Sequence, residues 1–156
     1  MEEVYQVDKT FKQQNFQTNS LPFGEYENCI FNDCNFEESN LSEYIFSECT
    51  FNNCNLSLVK LDSTSLREII FKDCKMLGIR FDSCVKLGLS FSFESCQLNH
   101  CSFYQVKIKN TVFNECQIKE TDFSQCDLTN AQMSNCNLTN STFLFEFLEN
   151  LSSCKR

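Results

Sequence analysis

The residues of this sequence that could do chemistry are, first of all, its twelve cysteines. Thiolates bind zinc when four ligands converge in a tetrahedron, and protein sites usually supply them from short Cys-x-x-Cys segments. No pair here has that separation, and most of the cysteines are multiples of five apart, as at Cys29, Cys34, Cys49 and Cys54. Thiols stacked in such columns point the same way instead of converging. The spacing therefore predicts structural packing, with no metal site, no cofactor and no disulfides.

Catalytic chemistry has little support in the remaining residues. The only histidine, His100, comes two residues after Leu98 and is expected to face water, whereas its neighbour Cys101 is expected to face inward. These two residues cannot then form a nucleophile–base pair. The carboxylates are interpreted as a solvated surface, and the three glycines form no phosphate-binding loop. We predict that the protein is not an enzyme and has no catalytic residues.

The composition and the net charge of the chain limit the kinds of molecule that it is expected to bind. The net charge of −8 disfavours direct binding to nucleic acid or to an anionic membrane. Residues 1–50 alone carry ten acidic and two basic residues, while the middle of the chain is nearly balanced. The polar start at Met1-Glu2-Glu3 and the lack of any apolar run near the ~20 residues of a membrane span predict a soluble, cytoplasmic protein.

Large apolar residues recur at every fifth position. The series runs from Phe11 to Phe81 without a miss, slips by two residues, and resumes from Phe93 to Leu148. A helix would turn such a stripe by about 500° per step, and a flat strand would send alternate residues to opposite faces. A chain that bends after each short extended segment keeps them all on one side. Repeated bends of one sense close coils, and the coils stack into a solenoid.

A second spacing, of twenty residues, sets the size of each coil. Phe31, Phe51 and Phe71 are twenty apart, and the series continues after the slip at Phe93 and Phe113. Four bends therefore make one coil, and the repeat region holds about seven coils. Because the two halves stay in register, the two extra residues predict a small local bulge near residues 85–90.

Eleven of the twelve cysteines occupy one place in the five-residue unit, two residues before its central position, which is apolar for ten of them and is Lys86 for Cys84. Side chains two apart on a strand share a face, so this slot also points inward. The slot favours small residues, and a buried cysteine behaves as a small hydrophobe. We expect these thiols to be reduced and slow to react, and Cys154 to be the one outside the slot.

Units such as Cys34-Asn35-Phe36-Glu37-Glu38 and Cys136-Asn137-Leu138-Thr139-Asn140 resemble the consensus of the pentapeptide-repeat family. That consensus is a small residue, Asp or Asn, Leu or Phe, and two polar positions. The resemblance implies an all-β fold, a right-handed quadrilateral parallel β-helix. We divide the chain into an N-terminal cap at 1–10, the pentapeptide-repeat β-helix at 11–148 and a C-terminal tail at 149–156.

The stretch from Phe71 to Gly78 and the insertion before Phe91 look most like the branch that holds quinolone-resistance proteins and a peptide-toxin immunity protein. This resemblance implies a DNA mimic that binds DNA gyrase or topoisomerase IV and protects it from a quinolone or a toxin. On that hypothesis, partner binding is expected at four outward acidic residues of the N-terminal half: Glu37, Glu38, Glu43 and Glu48. The alternative is a passive protein–protein interaction scaffold whose partner is unknown.

Two further surfaces stand out. Phe145 and Phe147 leave apolar side chains beside the open edge of the last coil, which predicts either a cap or the interface of a homodimer. Lys107, Lys109 and Lys119 are interpreted as a small basic patch that balances charge on a solvated face.

Overall fold

The computed structural model describes residues 2–144. The chain is a parallel β-solenoid of about seven turns, and among the described residues the only helical segment is one 3₁₀ turn at Phe81–Ser83. The strands are short and follow the chain in this order: β1 Val4–Val7, β2 Thr10–Lys12, β3 Gly24–Glu27, β4 Ile30–Asn32, β5 Ile45–Ser47, β6 Thr50–Asn52, β7 Ser65–Arg67, β8 Ile69–Lys72, β9 Phe91–Glu94, β10 Val112–Asn114 and β11 Gln132–Ser134.

The strands form two parallel sheets on different sides of the solenoid. Seven strands make the long sheet, in the order β11-β10-β9-β8-β6-β4-β2, and four make the short sheet, in the order β1-β3-β5-β7. Paired residues are twenty apart, as at Phe31 and Phe51. Isolated parallel bridges, such as Asn35 to Asn55, join the coils mainly on the two sides that have no named strands. The predicted coil of four five-residue units is confirmed.

The core is filled by the residues of the five-residue series. Every member from Phe16 to Leu138 is buried, and Phe11 and Phe143 are partly buried at the two ends. On the long-sheet side the rings stack from coil to coil, for example Phe31 on Phe51 with centroids 4.7 Å apart and planes 8° apart. Neighbouring sides meet edge to face, as Phe31 does with Phe36. The aromatic series therefore packs both along the solenoid and around each coil.

The corners of the coils have backbone in the left-handed region. The residue two places after the central apolar residue has φ near +50° to +60° in almost every unit, for example Glu38 at 58° and Asn53 at 50°. On the two sides that have no named strands this residue is the third of a four-residue hydrogen-bonded turn, as in 36–39, where the Ser39 N–H donates to the Phe36 carbonyl at 2.8 Å. A turn with positive φ at its third residue is of type II. These corners provide the repeated bends that the spacing predicts.

The predicted bulge lies on the short-sheet side of the solenoid, after the 3₁₀ turn. Its ends remain bonded to the coil before it, because the Val85 N–H donates to the Thr64 carbonyl and the Ser90 N–H to the Leu66 carbonyl, at 2.9 and 3.0 Å. Across the bulge the long sheet pairs Phe71 with Phe93, a step of 22 residues. The two extra residues are thus absorbed on one side, while the long sheet keeps its register.

Within residues 2–144, no helix is long and apolar enough to span a membrane.

Candidate interaction surface

Acidic side chains concentrate at the corners of the solenoid. Among the described residues, nine positions with positive φ hold Asp or Glu and none holds Lys or Arg; the nine are Asp8, Asp33, Glu38, Glu43, Glu48, Glu68, Asp73, Glu115 and Glu120. All nine are exposed. Basic residues lie instead on the flat sides between corners, as Lys12 and Lys72 do on the long sheet. The corners therefore hold nine of the nineteen acidic side chains within residues 2–144 and none of the lysines or arginines.

The four glutamates selected from the sequence do not share one face. Glu38, Glu43 and Glu48 are successive corners of a single coil, so they lie on three different edges of the solenoid, and Glu37 is a half-buried neighbour of the first. Together with Asp33 they form an acidic ring around one coil. Such a ring offers a flat partner only one or two of its charges at a time.

Two acidic edges border the long sheet. One edge carries Asp33, Asp73 and Glu115, and the other carries Asp8, Glu48 and Glu68. Between them runs a column of exposed or partly exposed, uncharged side chains at the first outward position of each strand. The most apolar of these are Ile30, Ile70 and Val112, which are 39%, 48% and 40% exposed. We call this surface, with its two borders, the long-sheet face.

The predicted basic patch is wrong in one member. Lys107 and Lys109 flank the buried Ile108 on the short-sheet side, but Lys119 follows Ile118 and lies two corners further around the coil. The lysine that joins the first two is Lys86 in the bulge, which lines a shared surface depression with Leu87, Lys107 and Lys109. Lysines that are close in sequence do not necessarily lie together, because each step of five residues moves the chain to another side of the solenoid.

The interior cysteines are packed as predicted. All eleven that the structure describes are buried, and none of these eleven is in a disulfide. Each thiol of the longest column donates to a backbone carbonyl of the preceding coil, as Cys54 Sγ does to Phe31 at 3.3 Å and Cys74 Sγ to Phe51 at 3.2 Å. Burial raises the pKa of Cys84 and of Cys101 to about 12. A thiol with so high a pKa is a poor nucleophile and a poor metal ligand at neutral pH.

No catalytic arrangement accompanies these thiols. The His100 side chain is 63% exposed, and its Nδ1 lies 3.0 Å from Glu120 Oε2 on the next coil, away from Cys101. Within residues 2–144, no group of three or more His, Cys, Asp or Glu side chains is placed to hold a metal ion. Phe145 and Phe147, proposed from the sequence as a cap or interface, lie outside the described residues, as does Cys154.

The acidic edges were missed by the sequence reasoning, although the sequence contains their signal. Acidic residues recur two places after the central apolar residue, and a spacing of twenty groups them by corner, as for Asp33 and Asp73 or Glu48 and Glu68. Summing charge over stretches of fifty residues hides this pattern because each such stretch runs several times around the solenoid.

Comparison with known proteins agrees with this geometry. The family described as the pentapeptide repeat region matches residues 25–92 and 79–152. No curated protein sequence matches the chain.

Several solved structures align with the chain. They include a trypsin-treated form of QnrB1, a plasmid-mediated fluoroquinolone resistance protein, at 18% identity and a TM-score of 0.36, covering 98% of this chain and 77% of that one. HetL, a pentapeptide repeat protein involved in heterocyst differentiation in the cyanobacterium Nostoc, aligns at 9% identity and a TM-score of 0.35, covering 97% and 87% of the two chains. The family match spans most of the sequence and the four-sided coils follow its five-residue unit, so the chain belongs to the pentapeptide-repeat family.

Proposed function

We propose that the protein binds another protein through the long-sheet face, and that its partner is the DNA-binding surface of a type II topoisomerase, DNA gyrase or topoisomerase IV. Pentapeptide-repeat proteins are generally structural or binding proteins, and QnrB1 is described as conferring fluoroquinolone resistance. On this proposal the protein stands in for duplex DNA and protects the enzyme from a quinolone or a toxin.

The observation that carries the proposal is the pair of acidic edges that border the long sheet. Duplex DNA presents two lines of negative charge with a less charged surface between them, and the edges at Asp33–Asp73–Glu115 and Asp8–Glu48–Glu68 have the same arrangement. Coils are spaced ~4.8 Å apart, so Asp33 and Asp73, two coils apart, are separated by ~10 Å, against ~3.4 Å per phosphate along one DNA strand. The charge is sparser than that of DNA, which predicts a weaker dependence on salt.

A second function, a passive interaction scaffold, has one observation in its favour. Ile30, Ile70 and Val112 are partly exposed apolar members of the column of side chains on the same face. Apolar side chains of this kind suit a protein partner that lacks the basic surface of a DNA-binding enzyme. Charge neutralisation would leave binding of such a partner nearly unchanged.

The test is a gyrase supercoiling assay, with and without a quinolone, on the wild type and on a variant with neutral edges. The variant carries Asp33→Asn, Glu48→Gln, Glu68→Gln and Asp73→Asn. Asparagine tolerates the left-handed backbone and all four side chains are exposed, so the solenoid is expected to stay folded. We expect the wild type to relieve quinolone inhibition and the variant to lose that effect.

The matched control changes the charge equally but away from the long-sheet face, with Glu38→Gln, Glu43→Gln, Asp62→Asn and Glu120→Gln. It is expected to act like the wild type. If the wild type neither relieves drug inhibition nor inhibits gyrase, the topoisomerase proposal is wrong. If both variants lose activity equally, net charge and not the long-sheet face carries the effect.

A further inference from the structure

On the short-sheet side of the solenoid, acidic residues lie toward the N-terminal end and basic residues toward the C-terminal end. Each coil contributes one row of outward residues to this surface, which we call the short-sheet face. The described rows are residues 5–7, 24–27, 45–47, 65–67, the bulge 85–90, 107–109 and 127–129. The second row carries Glu25 and Glu27, whereas the sixth row carries Lys107 and Lys109. The row between them at the centre is 65–67.

The same face also has a protrusion and a depression. In the bulge, Leu87 is 85% exposed and stands beside the exposed Lys86. Near the N-terminal end, acidic and apolar side chains line a hollow: Glu3, Tyr5, Phe23, Glu25, Glu43 and Ile45. The exposed leucine with its lysine therefore has a counterpart of opposite charge on the same molecule, about two coils beyond the centre of the face.

We propose that two copies of this chain associate through their short-sheet faces, with the solenoids antiparallel. The twofold axis would lie in the interface, parallel to the strands of row 65–67. Such an axis inverts the order of the rows and preserves the order of residues along each strand. It places Lys107 opposite Glu25 and Lys109 opposite Glu27 of the second copy.

The neighbouring rows also make complementary contacts under the same twofold rotation. The bulge meets row 45–47 of the second copy, which sets Lys86 near Glu43 and Leu87 near Ile45, at the border of the hollow. The twofold axis makes each of these contacts twice. A parallel arrangement would instead set lysine against lysine and glutamate against glutamate, so the charges select the antiparallel one.

Several features oppose association. Each copy has a net charge of −8, and the Tyr5 hydroxyl already donates to the Glu27 carboxylate of its own chain. Lys109 Nζ already lies 3.5 Å from Asp127 Oδ2 in its own chain. Arg67 belongs to the central row, so the twofold axis would bring it near Arg67 of the second copy. Its side chain runs beside the bulge, however, with Nε 3.5 Å from the position that a Cβ on Gly88 would take. Seven rows at ~4.8 Å and strands of ~10 Å bury on the order of 700–1,000 Å² in total, the range of weak, reversible complexes.

The test is sedimentation equilibrium of the full-length protein at low salt, with two charge-reversal variants. One variant carries Lys107→Glu and Lys109→Glu, and the other carries Glu25→Lys and Glu27→Lys. Each is expected to weaken self-association by about 100-fold, because like charges then face each other in all four contacts. Far-UV circular dichroism checks that both remain folded, since all four side chains lie on the surface.

Mixing the two variants gives the decisive result. One variant has glutamate at all four positions and the other has lysine, so an equimolar mixture should form heterodimers although neither variant dimerises alone. Raising the salt to about 1 M should dissociate the wild-type dimer. A wild type that stays monomeric at millimolar concentration and low salt overturns the proposal. So does a dimer that survives both reversals, which would assign association to another surface such as the C-terminal coil.

Discussion

The rings of Phe71 and Phe93 stack with centroids 5.2 Å apart and planes 11° apart, although 22 residues separate them instead of 20. Phe51 and Phe71, at the regular spacing, have the same centroid distance and a larger angle of 22°. The aromatic column thus continues through the coil that contains the bulge. Stability along the long-sheet side depends on this continuity because each coil contacts only its neighbours.

Truncating Phe71 tests that dependence. Phe71→Ala removes a ring that stacks on both Phe51 and Phe93, and it should lower the free energy of unfolding by about 3–5 kcal/mol. Urea unfolding followed by circular dichroism measures the change. The control is Ile70→Ala on the same strand, where the side chain is 48% exposed and the expected loss is below about 1 kcal/mol. Equal losses at the two positions would show that the ring column does not govern stability.

Alkaline pH should destabilise the protein through its buried thiols. Burial raises the pKa of Cys84 and Cys101 from 9.0 to about 12 in the folded chain. Between those values the unfolded state has lost protons that the folded state keeps, so stability is full below about pH 9 and falls as the pH rises toward 12. Each such thiol contributes a slope of about 1.4 kcal/mol per pH unit.

Denaturant midpoints measured from pH 7 to pH 11 would show this fall. Cys84→Ala removes one thiol, so the fall in stability with pH should become shallower by the contribution of one titrating group. Alanine is suitable because it already occupies the same inward slot at Ala131. A stability that is flat over this range, or a slope unchanged by the substitution, would contradict the assignment.

Gly24 holds the first strand in place. Its φ is +155°, and a Cβ at this position would lie 2.0 Å from the carbonyl oxygen of Val4, which belongs to the paired strand β1. Gly24→Ala should therefore separate β1 from β3 while the other coils remain folded. Hydrogen exchange at Tyr5 and Val7 should rise strongly with little change at Phe51. Protection of β1 equal to that of the wild type would show that the backbone can shift to accept the methyl group.

Leu58 is the one large apolar residue among the non-glycine positions of positive φ that the structure describes. Its φ is 58° and its side chain is 53% exposed, above Gly78 on the next coil. Because asparagine tolerates this backbone region better, Leu58→Asn should raise the free energy of unfolding by about 0.5–1 kcal/mol. Asn53→Leu, the reverse change at a corner of φ 50°, should lower it. If Leu58→Asn destabilises, the contact of Leu58 with Gly78 outweighs the backbone strain.

The interior could be predicted from the sequence and the exterior only in part. Burial of residues such as Phe36 and Cys34 follows from a fixed spacing and strand alternation, which require no knowledge of the coil. Relations on the surface depend on which of four sides a residue occupies. Lys119 was grouped with Lys107 by proximity in sequence, although two corners separate them. Large side chains in the small inward slot, such as the paired Ile69 and Phe91 beside the bulge, were also missed, because the slot was taken to favour small residues.

The bulge also makes the solenoid permissive to changes in length. Since Val85 and Ser90 anchor its two ends while the long sheet keeps its pairing from Phe71 to Phe93, additional residues between Lys86 and Gly88 would extend outward without shifting any coil. A foreign peptide grafted at that point would be displayed at mid-length on a stiff support. The same property means that a change in the length of this loop would leave the aromatic column in place.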